Sequence, residues 1–431
     1  MHSPQKKLLN LHPADGAILF FGTMNAMPMM YALELRKLGF QVVYYVDAPR
    51  SLPLHRPECH FSSISYPYPD WIVEIALYPR ILPSVCPRPT LAYFLWCGKK
   101  ALRGQKIQAV FMDGIFAAMA PFLPKRAKKI FLSYGDDLGL WCNPRLSAAV
   151  YTAMAKGLLW RLLPRLGGMR LVQKAIGANY RGAISCHTLI CFPPGLSRQG
   201  DVVARLLAEH GVAIVRRYDA SPEIVAGLHR DNVPADSAPR RSKLRIINAA
   251  RNYFVNRHDS PTFEGKGNDI VIAGFAQYLT VNSDAELHLF EKGPDVQDAK
   301  QLAATLGIQD SIIWHSECSC QELLRHYVSS DICIDQVGTH WLSAVGIYAM
   351  YVRKPLIANV RNLAPIFGTN IPIVQAEDAA GVCAALVELS DAKRRQAWAE
   401  RAWAFCTQNF NPMRVIRQLV APGVVVKLDR Q

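Results

Sequence analysis

The chain has 431 residues, of which 50% are hydrophobic and 19% charged, and its 49 basic and 34 acidic residues give a formal net charge of +15. This composition excludes a disordered chain, and the length is sufficient for two folded domains. The positive charge favours phosphorylated molecules or an anionic membrane surface as partners. Nucleic acid is not expected, because no recognised binding module accompanies the charge.

The cysteines and the N-terminal segment indicate the compartment. The eleven cysteines are scattered and contain no Cys-x-x-Cys pair, as is usual for proteins of a reducing cytoplasm. The apolar run near the N-terminus is interrupted by Gly22, Asn25 and Pro28, so it fits a strand, a loop and a helix better than a signal peptide or a membrane span. We therefore expect a cytoplasmic protein without a transmembrane helix.

Short apolar runs alternate with amphipathic helical stretches from one end of the chain to the other. Such alternation predicts mostly parallel sheets with helices on both faces. Two tandem, doubly wound, Rossmann-like α/β domains are thus the expected architecture. The strand-like runs are AILFFG, QVVYYVDA, AVFMDG, KIFLSYGDD and TLICFPPG in the first half, and LRIINAA, AELHLFEKG, SIIWHS, DICIDQ, KPLIAN and IPIVQ in the second.

A change of composition separates these two halves. Between residues 220 and 243 the chain is rich in Pro, Ser, Ala and mixed charges, as is usual for a connection between domains. We predict an N-terminal domain over residues 1–220, a linker over 221–243 and a second domain over 244–405.

The N-terminal half also contains a basic stretch. No acidic residue occurs between Asp137 and Asp201, and in residues 154–181 the basic side chains are interleaved with Leu, Trp and Met. This composition fits a segment that rests on anionic lipid headgroups, which would place the protein at the inner face of a membrane. A helix pair packed on the N-terminal domain, with a solvated basic face, is the alternative.

Two cations of the second half lie where a ligand site is expected. Arg251 directly follows the run LRIINAA, and Lys266 lies between Gly265 and Gly267 just before a helical stretch. Open α/β sheets bind ligands beyond the carboxyl ends of their strands. Two cations there predict a clamp on a diphosphate, whereas each cation taken alone would be an ordinary surface residue.

In the second half, five segments occur in a characteristic order: Ala250-Arg251, Lys266-Gly267, LGIQDSIIWHS, ELLRHYVSSD and YAMYVRKPLIA. Their order and spacing resemble the donor-binding half of retaining glycosyltransferases with the GT-B fold, family four in the usual classification. The N-terminal half resembles these enzymes more weakly, through ILFFGTMN and FLSYGDDLGLW. Residues 406–431 resemble the C-terminal helix that crosses back to the N-terminal domain.

The resemblance implies a GT-B architecture, with two Rossmann-like domains facing a cleft, and a retaining, metal-independent sugar transfer without a cofactor. The donor would be a nucleotide sugar, and the acceptor a glycan, a lipid-linked molecule or a small molecule. Arg251 and Lys266 would neutralise the charge that develops on the leaving diphosphate. Two glutamates that the family places at its donor helix are replaced here by His340 and Tyr348, and the usual histidine of the N-terminal motif is Tyr134.

Further residues are predicted to contribute to this site. Asp136 and Asp137 follow a strand and would orient acceptor or donor hydroxyl groups, although a loop or capping role explains them equally well. On the acceptor side, Gly22, Thr23 and Asn25 would line the site. On the donor side, near a helix expected to begin at about residue 342, the candidates are Asp335, Gly338, His340, Ser343 and Tyr348.

The replaced glutamates leave other functions open. The chain is also compatible with a catalytically inactive glycosyltransferase-like scaffold or partner subunit. A further alternative is another sugar-nucleotide enzyme on the same fold, such as an epimerase or a pseudo-glycosyltransferase, because a fold alone does not determine the chemistry.

Overall fold

The computed structural model describes residues 9–421 except 24–25, 53–54, 62, 76–80, 135, 156–164, 218–242 and 256–264. The chain divides into two compact units. The first comprises Met1–Pro222 with Pro412–Gln431, and the second comprises Glu223–Asn411. Of the predicted linker, residues 221–242 lie outside the described residues, and its last residue, Lys243, is described. Asn25 also lies outside the described residues.

The first unit is built on a parallel sheet of seven strands in the order β3-β2-β1-β4-β5-β6-β7. Every residue of the central strand AILFF is buried, as expected for a strand covered by helices on both faces. The strands are β1 (Ala17–Phe21), β2 (Val42–Val46), β3 (Ile72–Glu74), β4 (Ile107–Met112), β5 (Lys128–Leu132), β6 (Thr188–Cys191) and β7 (Ala213–Arg216).

Helices pack on this sheet through its apolar side chains. On one face, Phe94, Phe116 and Ala183 join a buried cluster with residues of β1, β2, β4 and β5. Phe94 belongs to the helix Pro87–Cys97, Phe116 to a long 3₁₀ helix, Gly114–Phe122, and Ala183 to the helix Arg165–Ile184. The helices of this unit are α1 (Met27–Lys37), α2 (Leu82–Val85), α3 (Pro87–Cys97), α4 (Lys99–Leu102), α5 (Asp136–Trp141), α6 (Ser147–Met154), α7 (Arg165–Ile184) and α8 (Arg198–Glu209).

The second unit has a parallel sheet of six strands in the order β10-β9-β8-β11-β12-β13. Its strands are β8 (Leu244–Asn248), β9 (Ala285–Phe290), β10 (Ile312–His315), β11 (Ile332–Ile334), β12 (Leu356–Ala358) and β13 (Val374–Gln375). Its helices are α9 (Asn268–Leu279), α10 (Val296–Thr305), α11 (Cys320–Val328), α12 (Ala344–Tyr351), α13 (Ala364–Phe367), α14 (Ala379–Ser390) and α15 (Ala392–Asn409).

After Pro412 the chain is again part of the first unit. A short last helix, α16 (Met413–Leu419), follows, and the backbone of Leu11 then pairs with the residues beside Val420. The Leu11 N–H donates to the Leu419 carbonyl at 3.0 Å, and the Ala421 N–H donates to the Leu11 carbonyl at 2.9 Å. None of the described helices is both long enough and apolar enough to span a membrane.

Candidate functional site

The carboxyl edge of the second sheet contains a cavity of about 380 Å³. It lies where β8, β9 and β11 end and where α12 begins. Its lining consists of Ala249, Ala250, Arg251, Lys266, Phe290, Lys292, Glu317, Cys318, Leu323, Gln336, Ser343, Ala344 and Val345. The cavity therefore occupies the position at which open α/β sheets bind their ligands.

Arg251 is held by the turn that follows β9. Its guanidinium lies over the ring of Tyr253, 5.2 Å from the ring centroid. Gly293 has a φ of 108°, and a Cβ atom at this position would overlap the Asn252 carbonyl oxygen and lie 2.6 Å from Cγ of Arg251. A side chain at residue 293 would thus displace both the Asn252 backbone and the stem of Arg251.

Lys266 is positioned by close contacts between two backbone segments. Its N–H donates to the Tyr253 carbonyl at 2.6 Å, and its own carbonyl accepts from the N–H groups of Val337 and Gly338, each at 3.2 Å. Gly267, with a φ of 77°, lies so close to Gly338 that a Cβ atom on it would overlap the Gly338 backbone. The structure thus brings the predicted pair, Arg251 and Lys266, into the lining of one cavity.

A buried carboxylate accepts hydrogen bonds from the residue that precedes α12. Asp335 is fully buried and accepts the Ser343 N–H at 2.7 Å as well as the Ser343 hydroxyl. Burial raises the pKa of Asp335, against the opposing effects of the Ser343 hydrogen bonds and the Lys266 charge. Of the two residues, Ser343 lines the cavity and Asp335 lies behind it.

The other predicted donor-side residues lie apart from the cavity lining. His340 is exposed, and its carbonyl accepts the Asn362 N–H at 3.2 Å. Tyr348 is buried on α12, and Gly338 is exposed. None of the three belongs to the residues that line the cavity, so their part in donor binding stays a prediction.

The lining also contains residues that the sequence analysis did not select. Lys292 forms an ion pair of 2.6 Å with Glu317, and the Gln336 side-chain amide donates to the Trp341 carbonyl at 2.8 Å. Burial raises the pKa of the Cys318 thiol. Lys292 follows β9 as Arg251 follows β8, so the same rule about strand ends would have found it.

In the first unit, the predicted acceptor-side residues form part of a buried polar edge. The Thr23 hydroxyl donates to the Asp47 carboxylate at 2.8 Å, and both side chains are buried. Gly22 has a φ of 103°, and a Cβ atom there would overlap the Asp113 carboxylate. Asn25 lies outside the described residues, and the acceptor role of all three residues stays a prediction.

Asp137 has the capping contacts that the sequence analysis left open. It is buried, and its carboxylate accepts from the Ser133 hydroxyl at 2.7 Å and from the Leu138 N–H at 2.9 Å. Burial raises the pKa of Asp137, and these hydrogen bonds oppose that rise. The side chain of Asp136 is not among those described, and a catalytic role stays a prediction for both aspartates.

A buried arginine beside Tyr134 escaped the sequence analysis. The Arg217 guanidinium lies 4.1 Å from the ring centroid of Tyr134 and 4.7 Å from that of Phe192. It also donates to the Ser133 carbonyl at 2.6 Å. Arg217 directly follows β7, so its place at a strand end was the available signal.

The predicted basic segment is described only in part. Residues 156–164 lie outside the description, and in the described part of α7 the side chains of Arg170, Lys174 and Arg181 are exposed. Across the described ranges, no three His, Cys, Asp or Glu side chains are grouped so that they could hold a metal ion.

Comparisons with known proteins support the fold. No family model matches the sequence, and no curated protein matches it. Among solved structures, the chain resembles a sucrose-phosphate synthase from Thermosynechococcus elongatus, with 14% identity, coverage of 94% of this chain and 97% of that chain, and a TM-score of 0.53. It also resembles a glycosyltransferase from Rickettsia africae, with 13% identity, coverage of 94% and 96%, and a TM-score of 0.53.

A third similar structure is the N-terminal domain of a trehalose-6-phosphate phosphatase from Candida albicans, with 10% identity, coverage of 95% and 97%, and a TM-score of 0.54. These likenesses extend over both units of the chain. Together with the two parallel sheets, they confirm the predicted fold class, a GT-B architecture of two Rossmann-like domains.

Proposed function

We propose that the chain is a glycosyltransferase that moves a sugar from a nucleotide-sugar donor to a glycan, lipid-linked or small-molecule acceptor. The observation that carries this proposal is the presence of Arg251 and Lys266 together in the cavity at the carboxyl edge of the second sheet. The fold shared with sugar-transferring proteins supports it. Retention of configuration and membership of the family-four type, with both donor glutamates replaced, belong to the same proposal.

The geometry suits the leaving group of such a reaction. A departing nucleoside diphosphate gains negative charge in the transition state, and two fixed cations stabilise that charge without further reorganisation. The first amides of α12 add the partial positive charge of a helix N-terminus. The volume of about 380 Å³ lies within the usual range of small-ligand pockets.

The same scheme proposes the chemical requirements and the location of the enzyme. Charge neutralisation by Arg251 and Lys266 would take the place of a metal ion, so no metal or other cofactor is included. Transfer would take place in the cytoplasm, with the acceptor bound by the first unit through the edge that contains Gly22 and Thr23.

A binding experiment tests the donor site directly. Calorimetric titration with UDP, GDP and ADP is expected to identify one nucleoside diphosphate that binds the full chain. We expect Arg251→Ala and Lys266→Ala each to weaken that binding by about tenfold or more, since each removes a charge-assisted contact. The matched control is Arg325→Ala, which removes an exposed cation from α11 outside the cavity lining. Absence of binding, or an equal loss in the control, would refute the proposed site.

One observation favours a second candidate, a scaffold that binds a nucleotide without turnover. The N–H and hydroxyl of Ser343, at the start of α12, already donate to Asp335 and are therefore occupied. His340 and Tyr348, at the positions of the missing glutamates, lie outside the lining. For this candidate, the titration would succeed and nucleotide release from every sugar donor would fail.

A further inference from the structure

We propose that the first unit binds a small phosphate ester in a cavity of its own, at the edge of its sheet where β2 and β3 begin. This cavity, called the arginine cavity below, has a volume of about 330 Å³. It is a different site from the donor cavity of the second unit, and the proposal does not depend on the transfer reaction. The lining residues that carry the argument are Arg36, Gln41, Asp70, Trp71 and Arg103.

The two arginines come from the ends of two helices that one glutamine connects. Arg36 belongs to the last turn of α1, and Arg103 directly follows α4. Gln41, just before β2, donates through its side-chain amide to the Ala101 carbonyl at 2.9 Å and to the Leu102 carbonyl at 3.2 Å. Since these carbonyls belong to α4, the glutamine fixes the turn that contains Arg103 beside the segment that leads from α1 into β2.

The two guanidinium groups lie close enough to repel each other. Arg36 is held over the ring of Trp71, with its guanidinium carbon 4.4 Å from the ring centroid. Burial lowers the pKa of Arg36, and the nearby charge of Arg103 lowers it further. An anion bound between the two groups would relieve this repulsion and accept hydrogen bonds from both of them.

Carboxylates of the described chain do not neutralise this pair. Within the described ranges, neither Arg36 nor Arg103 forms an ion pair with an aspartate or a glutamate. The acidic residue of the lining, Asp70, lies 3.5 Å from Nζ of Lys100 instead. Three cations thus lie near one carboxylate, and the arginine cavity keeps a net positive charge that attracts anions.

Capping of a helix end does not explain Arg36. An arginine in the last turn of a helix often donates to the carbonyl groups that lack a partner there. The Leu35 carbonyl, however, already accepts the N–H groups of Leu38 and Phe40, each at 3.1 Å. The Arg36 carbonyl accepts the Gly39 N–H at 2.9 Å. Backbone amides thus satisfy the end of α1, and the guanidinium remains directed to the cavity and the Trp71 ring.

Arg103 has a backbone conformation that is unfavourable for an arginine. Its φ of 48° and ψ of 36° lie in the left-handed region, which glycine or asparagine usually occupies after a helix. Strain of this kind at other residue types is concentrated at ligand sites and switch regions. The conformation of Arg103 therefore supports a role for its side chain in binding.

The dimensions and the lining of the arginine cavity indicate the class of ligand. Two guanidinium groups match the oxygen atoms of a phosphate, to which they donate charge-assisted hydrogen bonds. A volume of about 330 Å³ is within the range of small-ligand pockets and leaves space beside the phosphate. Gln41 and Gln105 in the lining offer amide groups to hydroxyl groups in that space. A phosphate ester of a small polyol or sugar therefore fits better than phosphate alone.

Calorimetric titration of the full chain with glycerol 3-phosphate, with glycerol as the uncharged control, tests this proposal. Because the cations of the donor cavity also attract phosphate, the titrations use a chain with Arg251→Ala and Lys266→Ala, at an ionic strength of about 0.15 M. We expect this chain to bind one ester and no glycerol. Adding Arg36→Gln or Arg103→Asn should weaken the binding about tenfold or more.

Arg103→Asn separates a binding role from a structural one. Asparagine tolerates the left-handed conformation better than arginine does, so this variant should be at least as stable to urea while its affinity for the ester falls. The matched control is Arg205→Gln, which removes an exposed cation from α8 in the same unit and should retain binding.

Two results would overturn the proposal: no binding of glycerol 3-phosphate by the folded chain that lacks the donor cations, or an equal loss of affinity in Arg205→Gln. Thermal unfolding verifies that each variant is folded. If the chain with both donor cations removed does not fold, the wild type decides. There, Arg36→Gln should lower the number of esters bound per chain by one, and an unchanged number would equally overturn the proposal.

Discussion

Asp335 accepts two hydrogen bonds from Ser343, one from the backbone N–H at 2.7 Å and one from the hydroxyl. A fully buried carboxylate thus fixes the residue that precedes α12, next to the cavity that contains Arg251 and Lys266. Asp335 also requires a glycine at residue 346, where a Cβ atom would lie 2.5 Å from its Oδ2. The beginning of this helix is therefore held in place from within the protein.

Removal of the Ser343 hydroxyl should destabilise the fold in a pH-dependent manner. We expect Ser343→Ala to lower the free energy of unfolding by about 1 to 2 kcal/mol. A raised folded-state pKa of a carboxyl group gives stability at low pH that is lost as the pH rises, and the variant raises the pKa of Asp335 further. The loss of unfolding free energy in the variant should therefore be larger at neutral pH than in mild acid. Urea unfolding at both pH values measures the difference. Ser343→Thr, which keeps the hydroxyl, is the control, and an equal loss at both pH values would contradict this explanation.

Gly293→Ala should impair nucleotide binding through Arg251. The new methyl group would overlap the Asn252 carbonyl oxygen and lie 2.6 Å from Cγ of Arg251, so the backbone beside Arg251 and the arginine side chain must both move. We expect a loss of nucleoside diphosphate affinity close to that of Arg251→Ala, measured by calorimetric titration. Gly307→Ala is the control for a methyl group at a positive φ, here 68°, because no described atom lies within 4 Å of the added group. Unchanged affinity in folded Gly293→Ala would show that Arg251 does not need this glycine.

A buried histidine cluster should make the second unit sensitive to acid. His288 contacts His315 at 2.7 Å and Glu286 at 2.9 Å, and an Arg245 nitrogen lies 3.1 Å from its ring. Burial, together with the Arg245 and His315 charges, lowers the pKa of His288 from 6.5 to about 4, against the opposing effect of the Glu286 carboxylate. A lowered folded-state pKa gives stability that is present at neutral pH and lost as the pH falls through this range.

The corresponding variant is His288→Gln. We expect the urea midpoint of the wild type to fall as the pH decreases from 6.5 to about 4, and the midpoint of the variant to decrease less steeply. His210→Gln, at an exposed histidine of the first unit, should leave the dependence unchanged. A wild type with constant stability over this range would contradict the expected effect of the cluster.

The contact between α7 and the 3₁₀ helix should be intolerant of a single methyl group. A Cβ atom on Gly182 would overlap the Ala117 carbonyl oxygen, which is backbone and cannot rotate away. We expect Gly182→Ala to cost about 2 kcal/mol or more of stability. Gly167→Ala, in the same helix but with no described atom within 4 Å of the new methyl group, should be neutral or stabilising by up to about 1 kcal/mol. Chemical denaturation of both variants measures the contrast, which equal stabilities would refute.

The central strands of both sheets could be predicted from the sequence because each is a short apolar run between turn residues. The strands at the two opposite edges of the first unit's sheet, β3 and β7, escaped prediction because they are short and partly exposed, and each includes a charged residue. The 3₁₀ helix Gly114–Phe122 escaped as well, since it contains a proline and lacks a helical pattern of polar residues.

The site was predictable only where backbone topology determines it. Arg251 and Lys266 were found because strand ends and helix starts are visible in the sequence. The hydrogen bonds from Ser343 to Asp335 were not predicted, because they depend on the conformations of two residues that lie eight positions apart in the sequence. Which side of α12 faces the cavity depends on its packing, so the burial of Tyr348 away from the lining could not be read from spacing alone.

Release of nucleotide from a panel of nucleotide sugars tests the central claim most directly. The proposed transferase predicts slow hydrolysis of one donor by the wild type, and turnover reduced by about a hundredfold in Arg251→Ala and Lys266→Ala but not in Arg325→Ala. Tight binding of a nucleoside diphosphate without release from any donor, alone or with glycan acceptors, would contradict catalysis and leave the nucleotide-binding scaffold as the function of this chain.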